Sequence, residues 1–452
     1  LRVEITRAYT EAGYINSGAL LPDQKVTNGE VVYNVVEGKL DNIDVTGTGR
    51  LRPGYVEKRI RAITGEPFNS EKLQEGFQRL LDDPLIERMD GQLLPAPQAG
   101  STGLNLNVTP AKPWLLNVVA DNHGSPSVGA EQLTFSGTYL NPTGFGDNAD
   151  FSINLTPGRF NISTAYSVPL NAHDTRLSVN FSSTNSTVVE EPLDDINIDS
   201  ESNNFGLSLS HPFRRSQQGS TIVGVDLTVR DNSNTLLGQP FSFSAGEEDG
   251  DSQVSALRFW QDYTRRGTNQ VVALRSSFNL GLDAFGATVH DDDRPDSEFL
   301  TWLGQAQYVR SVFDGVGQFV LRADAQLSDG LLLPLERFAL GGPNSVRGYR
   351  KNQLVRDEAF FASAEYRHTA FSSAKAGTWQ LAPFIDYGAG RNRGSEDDDR
   401  DTLSSIGLGL LWSRSRFDAE LYLGISLEDV EEASDNNLQD DGIYFQFSTR
   451  LL

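Results

Sequence analysis

The sequence predicts an α+β N-terminal part followed by an all-β, about 16-stranded antiparallel transmembrane barrel. Three observations lead there. Near residue 113 the spacing of apolar residues changes from a helical period to alternation. The segments that follow have the length of a tilted membrane strand, roughly 9–11 residues. Their connections alternate short and long, as in an up-and-down meander whose two rims face different compartments. A large soluble β-protein would also alternate, but nothing in it would place the long loops on one side.

The composition sets the outer limits. There are 61 Asp+Glu against 38 Lys+Arg, a net charge of −23, so nucleic acid, which needs basic patches, is not an expected partner. The absence of cysteine excludes a disulfide framework and a thiolate metal site. No apolar run reaches the roughly 18 residues of a membrane helix. Mean hydropathy is −0.38, which a barrel with alternating lipid-facing and lumen-facing residues accommodates. The chain starts at Leu1 with no signal peptide, which is the expectation for a processed or truncated chain.

In the first part, residues 2–12 read as a helix with Val3, Ile5, Ala8, Tyr9 and Ala12 on one side. Residues 30–36 and 40–46 read as strands. Pro53 suits a first helical turn, and Val56, Ile60 and Ile63 continue that helix. A second helix follows Asn69, with Leu73, Phe77 and Leu80 at helical spacing. Residues 85–94 and 103–109 read as two more strands. The order β-α-α-β-β makes 38–113 one complete small domain. Residues 1–37 read as the back half of a similar one, and 114–452 as the barrel.

The barrel strands are expected at 114–121, 130–140, 147–156, 159–168, 173–183, 203–211, 220–230, 252–264, 269–282, 299–312, 317–328, 357–370, 378–388, 402–413, 416–427 and 442–452. An even number puts both termini at the short-turn, periplasmic rim. The last strand alternates Ile443, Phe445, Phe447 and Leu451 with Tyr444, Gln446, Ser448 and Arg450, which suits a lipid-facing closing strand.

Residues 334–349 form a loop that does not fit a freely solvated surface. Gly341, Gly342, Pro343 and Asn344 break regular structure. Phe338, Leu340, Val346 and Tyr349 gain by burial, and Arg347 needs a carboxylate if it is buried with them. Alternation offers two. Phe384 and Asp386 share one face of 378–388, and Ser363, Glu365 and Arg367 share one face of 357–370. Asp386 is the first choice and Glu365 the second; the bland alternative is a solvated Arg347.

No catalytic, metal or cofactor constellation stands out. The acidic clusters Glu190, Glu191, Asp194, Asp195 and Asp199, Asp291 to Asp293 with Asp296, and Glu396 to Asp399 with Asp401 read as solvated outer loops. Asp435, Asn437 and Gln439 are spaced like a calcium loop but lack its glycine. His123, His173, His211, His290 and His368 are scattered. No acid, base and nucleophile set converges, so an enzyme is not expected.

The stretch Phe338-Ala-Leu-Gly-Gly-Pro-Asn-Ser-Val-Arg-Gly-Tyr349 resembles the hallmark sixth outer loop of the BamA-like polypeptide-transporting barrels, and the β-α-α-β-β domain resembles their POTRA domains. Residues 18–38, Asp121-Asn-His-Gly124 and Asn141-Pro-Thr-Gly-Phe-Gly-Asp147 resemble motifs of the two-partner secretion transporters (TpsB), and Phe384-Ile-Asp386 matches the wall motif that faces the loop. The family's plug helix, its linker and the front of the first POTRA domain have no counterpart here, and Leu452 stands where an aromatic residue is usual.

The resemblance implies a bacterial-type outer-membrane protein with periplasmic POTRA domains and the sixth outer loop folded into the lumen, where Arg347 reaches the wall. The motif residues are Phe338, Gly341, Gly342, Val346, Arg347, Gly348 and Tyr349, and the latch partners Asp386, Glu365 and Phe384. The implied function is export of an unfolded TpsA-like exoprotein through a monomeric barrel in outer-membrane lipid. No cofactor or nucleotide site is expected, so energy would come from substrate folding outside. Substrate is expected to add as a strand to POTRA sheet edges, with pockets near Tyr55, Arg59, Phe77 and Leu81. The competing readings are an insertase that opens the seam between 114–121 and 442–452, and a solute porin.

Overall fold

In the computed structural model the described residues are 1–394, 400–430 and 437–451. Glu396 to Asp399, Asp435 and Leu452 lie outside them. The chain divides into two compact units. One is Leu1–Trp114 with Tyr139–Ala149 and Val168–Thr175; the other comprises Leu115–Thr138, Asp150–Ser167 and Arg176–Leu452.

The first unit opens with α1 (Arg2–Glu11), β1 (Gly18–Leu20) and β2 (Asn34–Val36). The strand expected at 30–36 is cut to three residues, and among the described residues it pairs with β1, itself three residues long. Val31 and Val32 remain exposed. Then come β3 (Lys39–Thr46), α2 (Pro53–Thr64), α3 (Ser70–Leu81), β4 (Ile86–Pro95) and β5 (Ser101–Pro110). β5 lies between β3, to which it is parallel, and β4, to which it is antiparallel. Pro53 starts α2, and the Asn69 side chain caps α3 by accepting from the amides of Glu71 and Lys72. The apolar faces of both helices close on the sheet: Val56, Ile60, Leu73 and Leu80 pack with Ile43, Leu104 and Leu106.

The second unit is built on a closed antiparallel barrel of sixteen strands. They are β6 (Trp114–Asp121), β7 (Gln132–Leu140), β8 (Asn148–Thr156), β9 (Arg159–Pro169), β10 (Arg176–Thr187), β11 (Ile198–Ser216), β12 (Gly219–Leu236), β14 (Asp251–Arg266), β15 (Gln270–Leu282), β16 (Leu300–Val312), β17 (Gly317–Ser328), β20 (Glu358–Ser373), β21 (Gly377–Arg391), β22 (Asp401–Arg414), β23 (Phe417–Ser426) and β24 (Ile443–Arg450). Three short strands sit between them: β13 (Gln239–Pro240) at the end of β12, and β18 (Phe338–Leu340) paired with β19 (Leu354–Arg356). Among the described residues no helix is long and apolar enough to cross a membrane, which says nothing of crossing by strands.

β11 and β12 run farther than expected, to Ile198 and Leu236. Beyond the apolar end pair Ile198↔Leu236, their extra residues pair from Asp199↔Thr235 to Ser202↔Asn232 and are polar on both faces, so they give no alternating signal. Along the wall, Phe278, Leu321, Ile385, Leu408 and Leu423 stay exposed, while alternate residues are less so, Asp386 and Ser405 being fully buried. That division identifies the inner face of each strand. The barrel closes between β24 and β6 over five residue pairs, Gln446↔Asp121 to Arg450↔Asn117.

Candidate functional site

The loop from residue 329 to 357 is fastened to inner-face residues at two places. The first is Glu336, whose carboxylate takes Arg258 of β14 in a fork, Nη2 to Oε1 at 2.6 Å and Nη1 to Oε2 at 3.0 Å. Arg337 nearby donates to the buried Asp357 at 3.0 Å. The chain then pairs as the hairpin β18–β19, Phe338↔Arg356 to Leu340↔Leu354, and turns at Gly341 and Gly342, whose φ angles are +99° and +91°.

The second place is Arg347. Nε and Nη2 donate to Asp386 Oδ2 and Oδ1, both at 2.8 Å, and the Arg347 amide donates to Oδ2 at 3.1 Å. Nη1 donates to Glu365 Oε2 at 2.5 Å, and Nη2 to Ser363 Oγ at 3.2 Å. The guanidinium lies 3.5 Å from the ring centre of Phe384 and 4.9 Å from that of Tyr422. Arg347 is 6% exposed, Glu365 6% and Asp386 0%, so the charges must balance internally. They do: Arg367 donates to the other Glu365 oxygen at 2.6 Å, giving two cations and two carboxylates, and the Tyr422 hydroxyl adds a bond at 3.3 Å.

The strand register explains the geometry. Ser363 stands opposite Asp386 and Glu365 opposite Phe384 on β20 and β21, so both carboxylates and the ring reach one point. Val346, Leu340 and Tyr349 bury completely or nearly so against Phe361, Leu403 and Ala359. Gly348, at φ +94°, lies so close to β23 that a Cβ there would be 3.1 Å from the Ser426 amide; a Cβ on Gly424 would come 2.6 Å from the Gly348 amide. Two glycines back to back permit that approach. The Gly348 amide donates to Tyr444 Oη at 2.8 Å, and Tyr444 Oη donates to the Tyr349 carbonyl at 2.7 Å. Tyr349 Oη in turn donates to the Ser404 carbonyl at 2.8 Å.

Alternation thus located Asp386 and Glu365, and the structure brings both to Arg347 together. Sequence reasoning did not single out Glu336, Arg258 or Tyr444. Tyr444 was readable as an inward residue of the last strand; Glu336 and Arg258 are 78 positions apart and carried no local signal.

Beyond the motif, Arg350 pairs with Asp440 and with Glu190, and the amide of Lys351 donates to Gln439 Oε1 at 2.9 Å. Burial alone would raise the Asp440 pKa, but the bonds from Arg350 outweigh it and hold the carboxyl below its ordinary value. A depressed carboxylate stabilises the fold above its unfolded-state pKa and loses that contribution as pH falls through the folded value. The stability difference between wild type and Asp440→Asn is therefore expected to stay constant from pH 7 to about 5, to start falling near the unfolded-state value of about 3.9, and to vanish only below the folded-state value. Thermal unfolding across that range checks it; a difference already lost at neutral pH contradicts it.

The residues expected to line a substrate groove behave differently from one another. Tyr55 is buried, and its hydroxyl donates to Asp83 at 2.6 Å; burial and that carboxylate push its pKa up. Arg59 is also buried, stacks 3.5 Å from the Tyr55 ring and pairs with Asp174, which belongs to the same compact unit. Both side chains are committed to the fold. Phe77 packs partly buried beside Gly91, while Leu81 is 40% exposed.

A wide antiparallel barrel with its long loops on one rim has the architecture of an outer-membrane barrel, and here one glycine-hinged loop is bonded to the wall residues Asp386 and Glu365. The chain belongs to the haemolysin secretion/activation protein ShlB/FhaC/HecB family, whose sequence model matches residues 100–411; the ShlB-type POTRA model matches residues 1–38. It is 24% identical over 419 residues to the outer membrane transporter CdiB of Dickeya dadantii, covering 90% of this chain and 72% of that one. Its fold matches that of CdiB from Escherichia coli with a TM-score of 0.76 at 22% identity, over 100% of this chain and 83% of that chain. BamA from Haemophilus ducreyi lacking POTRA domains 1–3 matches at a TM-score of 0.67 and 12% identity, over 100% and 92%. The protein is thus an outer-membrane two-partner secretion transporter that exports a partner protein, with its POTRA portion in the periplasm.

Proposed function

We propose that the transporter receives an unfolded partner in the periplasm and passes it through the barrel while the 334–349 loop, folded into the lumen, is held by Arg347. The observation that carries this reading is the set of bonds from Arg347 to Asp386, Glu365 and Ser363 on the inner faces of β21 and β20. The organisation proposed is the end of a first POTRA domain at 1–37, a second at 38–113 and the barrel from 114 to 452. Substrate docks as an added strand at the free edges of the β3-β5-β4 sheet, beside Phe77 and Leu81. Tyr55 and Arg59 support that surface from within. The protein works as a monomer in lipid, and its net charge of −23 argues against nucleic acid as a partner.

An insertase would need the β24–β6 seam to open. Its five pairs are fewer than the seven of β23–β24, but the seam is reinforced. The Asn122 side chain donates to the Ile443 carbonyl at 2.9 Å and accepts from the Phe445 amide at 2.8 Å. Deleting this chain from its host distinguishes the two functions. Export predicts that one large partner disappears from the medium while other barrel proteins keep their levels. Depletion of many barrels at once contradicts it.

The carboxylates should rank by the bonds they accept. Asp386 takes three from Arg347 and Glu365 one. Partner export is expected to fall further for Asp386→Asn than for Glu365→Gln; the reverse order in a secretion assay contradicts the assignment of Asp386 as principal partner.

A further inference from the structure

Beside the loop lies a second feature, whose charge the fastening at Glu336 uses only in part. A cleft of about 570 Å³ separates residues 335–352 from the inner faces of β12 and β14 to β17. Six basic side chains line it, Arg230, Arg258, Arg275, Arg322, Arg337 and Lys351, against two acidic ones, Asp324 and Glu336. In a chain with 61 acidic and 38 basic residues this is a local inversion of charge.

Three of these cations are spoken for. Arg230 and Arg258 share Glu336, and Arg337 holds Asp357. Arg275 and Arg322 each have one ion pair, to Asp262 and loosely to Asp324, and remain half-exposed. Arg275 donates once, to Asp262 at 3.2 Å, and lies 4.8 Å from the Trp260 ring centre. Arg322 donates once, to the backbone carbonyl of Asn344 at 3.2 Å, with its nearest carboxylate, Asp324, at 3.9 Å. Their side chains are 42% and 40% exposed. A guanidinium carries five N–H donors in a planar fork that matches a carboxylate. Each therefore keeps most of its donors for a ligand in the cleft. The register places them in neighbouring rows: Arg275 opposite Gln305, and Arg322 opposite Gln307.

We propose that this cleft binds carboxylates of the polypeptide in transit, with Arg275 and Arg322 as the recognising groups. The idea rests on the reading of the barrel as the export path. It assigns that path a preference: aspartate- and glutamate-bearing segments are held beside the tip of the loop, whose Asn344 shares Arg322 with them. Rings of fixed charge select passing ions in the same manner.

The test uses the full chain, purified in detergent, with a fluorescent hexaglutamate peptide followed by anisotropy. Hexalysine and inorganic phosphate are run at matched ionic strength. Saturable hexaglutamate binding is expected, weakened about tenfold or more in the double variant Arg275→Gln/Arg322→Gln. It should be unchanged in Arg265→Gln/Arg266→Gln, with no binding of hexalysine and no competition by phosphate. Unheated gel mobility shows whether each variant is a folded barrel. Absence of saturable binding, equal affinity in a folded double variant, or equal competition by phosphate overturns the proposal. A wild-type chain that exports its partner without binding the peptide defeats this inference alone. A chain that binds the peptide but does not export defeats the reading of the path.

Discussion

Arg347→Ala is expected to insert as a folded barrel and to export its partner at a tenth of the wild-type rate or less. The reason lies in what the substitution leaves behind. Asp386 is fully buried and would lose both guanidinium bonds, keeping only the one from the amide of residue 347. Glu365 would keep Arg367 and the Tyr422 hydroxyl. Removing one partner of a buried ion pair typically costs about 3–5 kcal/mol, because the other charge stays buried and uncompensated. The wall itself is held by the strand ladder, which Arg347 does not join, so the cost falls on the seating of the loop. Gel mobility of the unheated protein measures assembly, and partner protein in the medium measures export. Loss of assembly together with export would mean that Arg347 is needed for folding instead.

Gly348→Val should give the same phenotype by a different physical route. The residue sits at φ +94°, where an L side chain is strained by roughly 1–2 kcal/mol. Its Cβ would also press on β23 at 3.1 Å from the Ser426 amide, against backbone that cannot swing aside. The two bonds of Tyr444 to Gly348 and Tyr349 would be lost with the displacement. Since both substitutions act by unseating one loop, the double variant Arg347→Ala/Gly348→Val should be hardly worse than either single one. Additive losses in the secretion assay would show two separate roles.

Much of this was legible in the residues, for identifiable reasons. Lipid on one side and water on the other impose alternation, so the strands through the membrane could be placed from sequence, β17 at 317–328 among them. Where that asymmetry ends the signal ends, and the outer parts of β11 and β12 read as loop. The same alternation put Asp386 and Glu365 on inward faces. It could not say that one arginine takes both, which follows from the register of β20 against β21. Tyr55 and Arg59 show the opposite failure. A charged residue on a helix reads as surface, and only the distant Asp174 makes its burial tolerable. The Glu336–Arg258 fork was invisible for the same reason, since tertiary partners leave no local pattern.

The central claim is that Arg347 serves to hold the loop in place, and that a held loop is required for export. It can be tested by replacing the ion pair with a covalent bond. An ideal Cβ at Gly388 would lie 2.8 Å from Val346 Cγ2, and the chain has no cysteine of its own. The measurement is partner export by Arg347→Ala carrying Val346→Cys and Gly388→Cys, with the disulfide formed and then reduced. Export restored by the disulfide and lost again on reduction is the predicted result. Export by Arg347→Ala at the wild-type rate without any disulfide, or no recovery when the disulfide is shown to have formed, would contradict it.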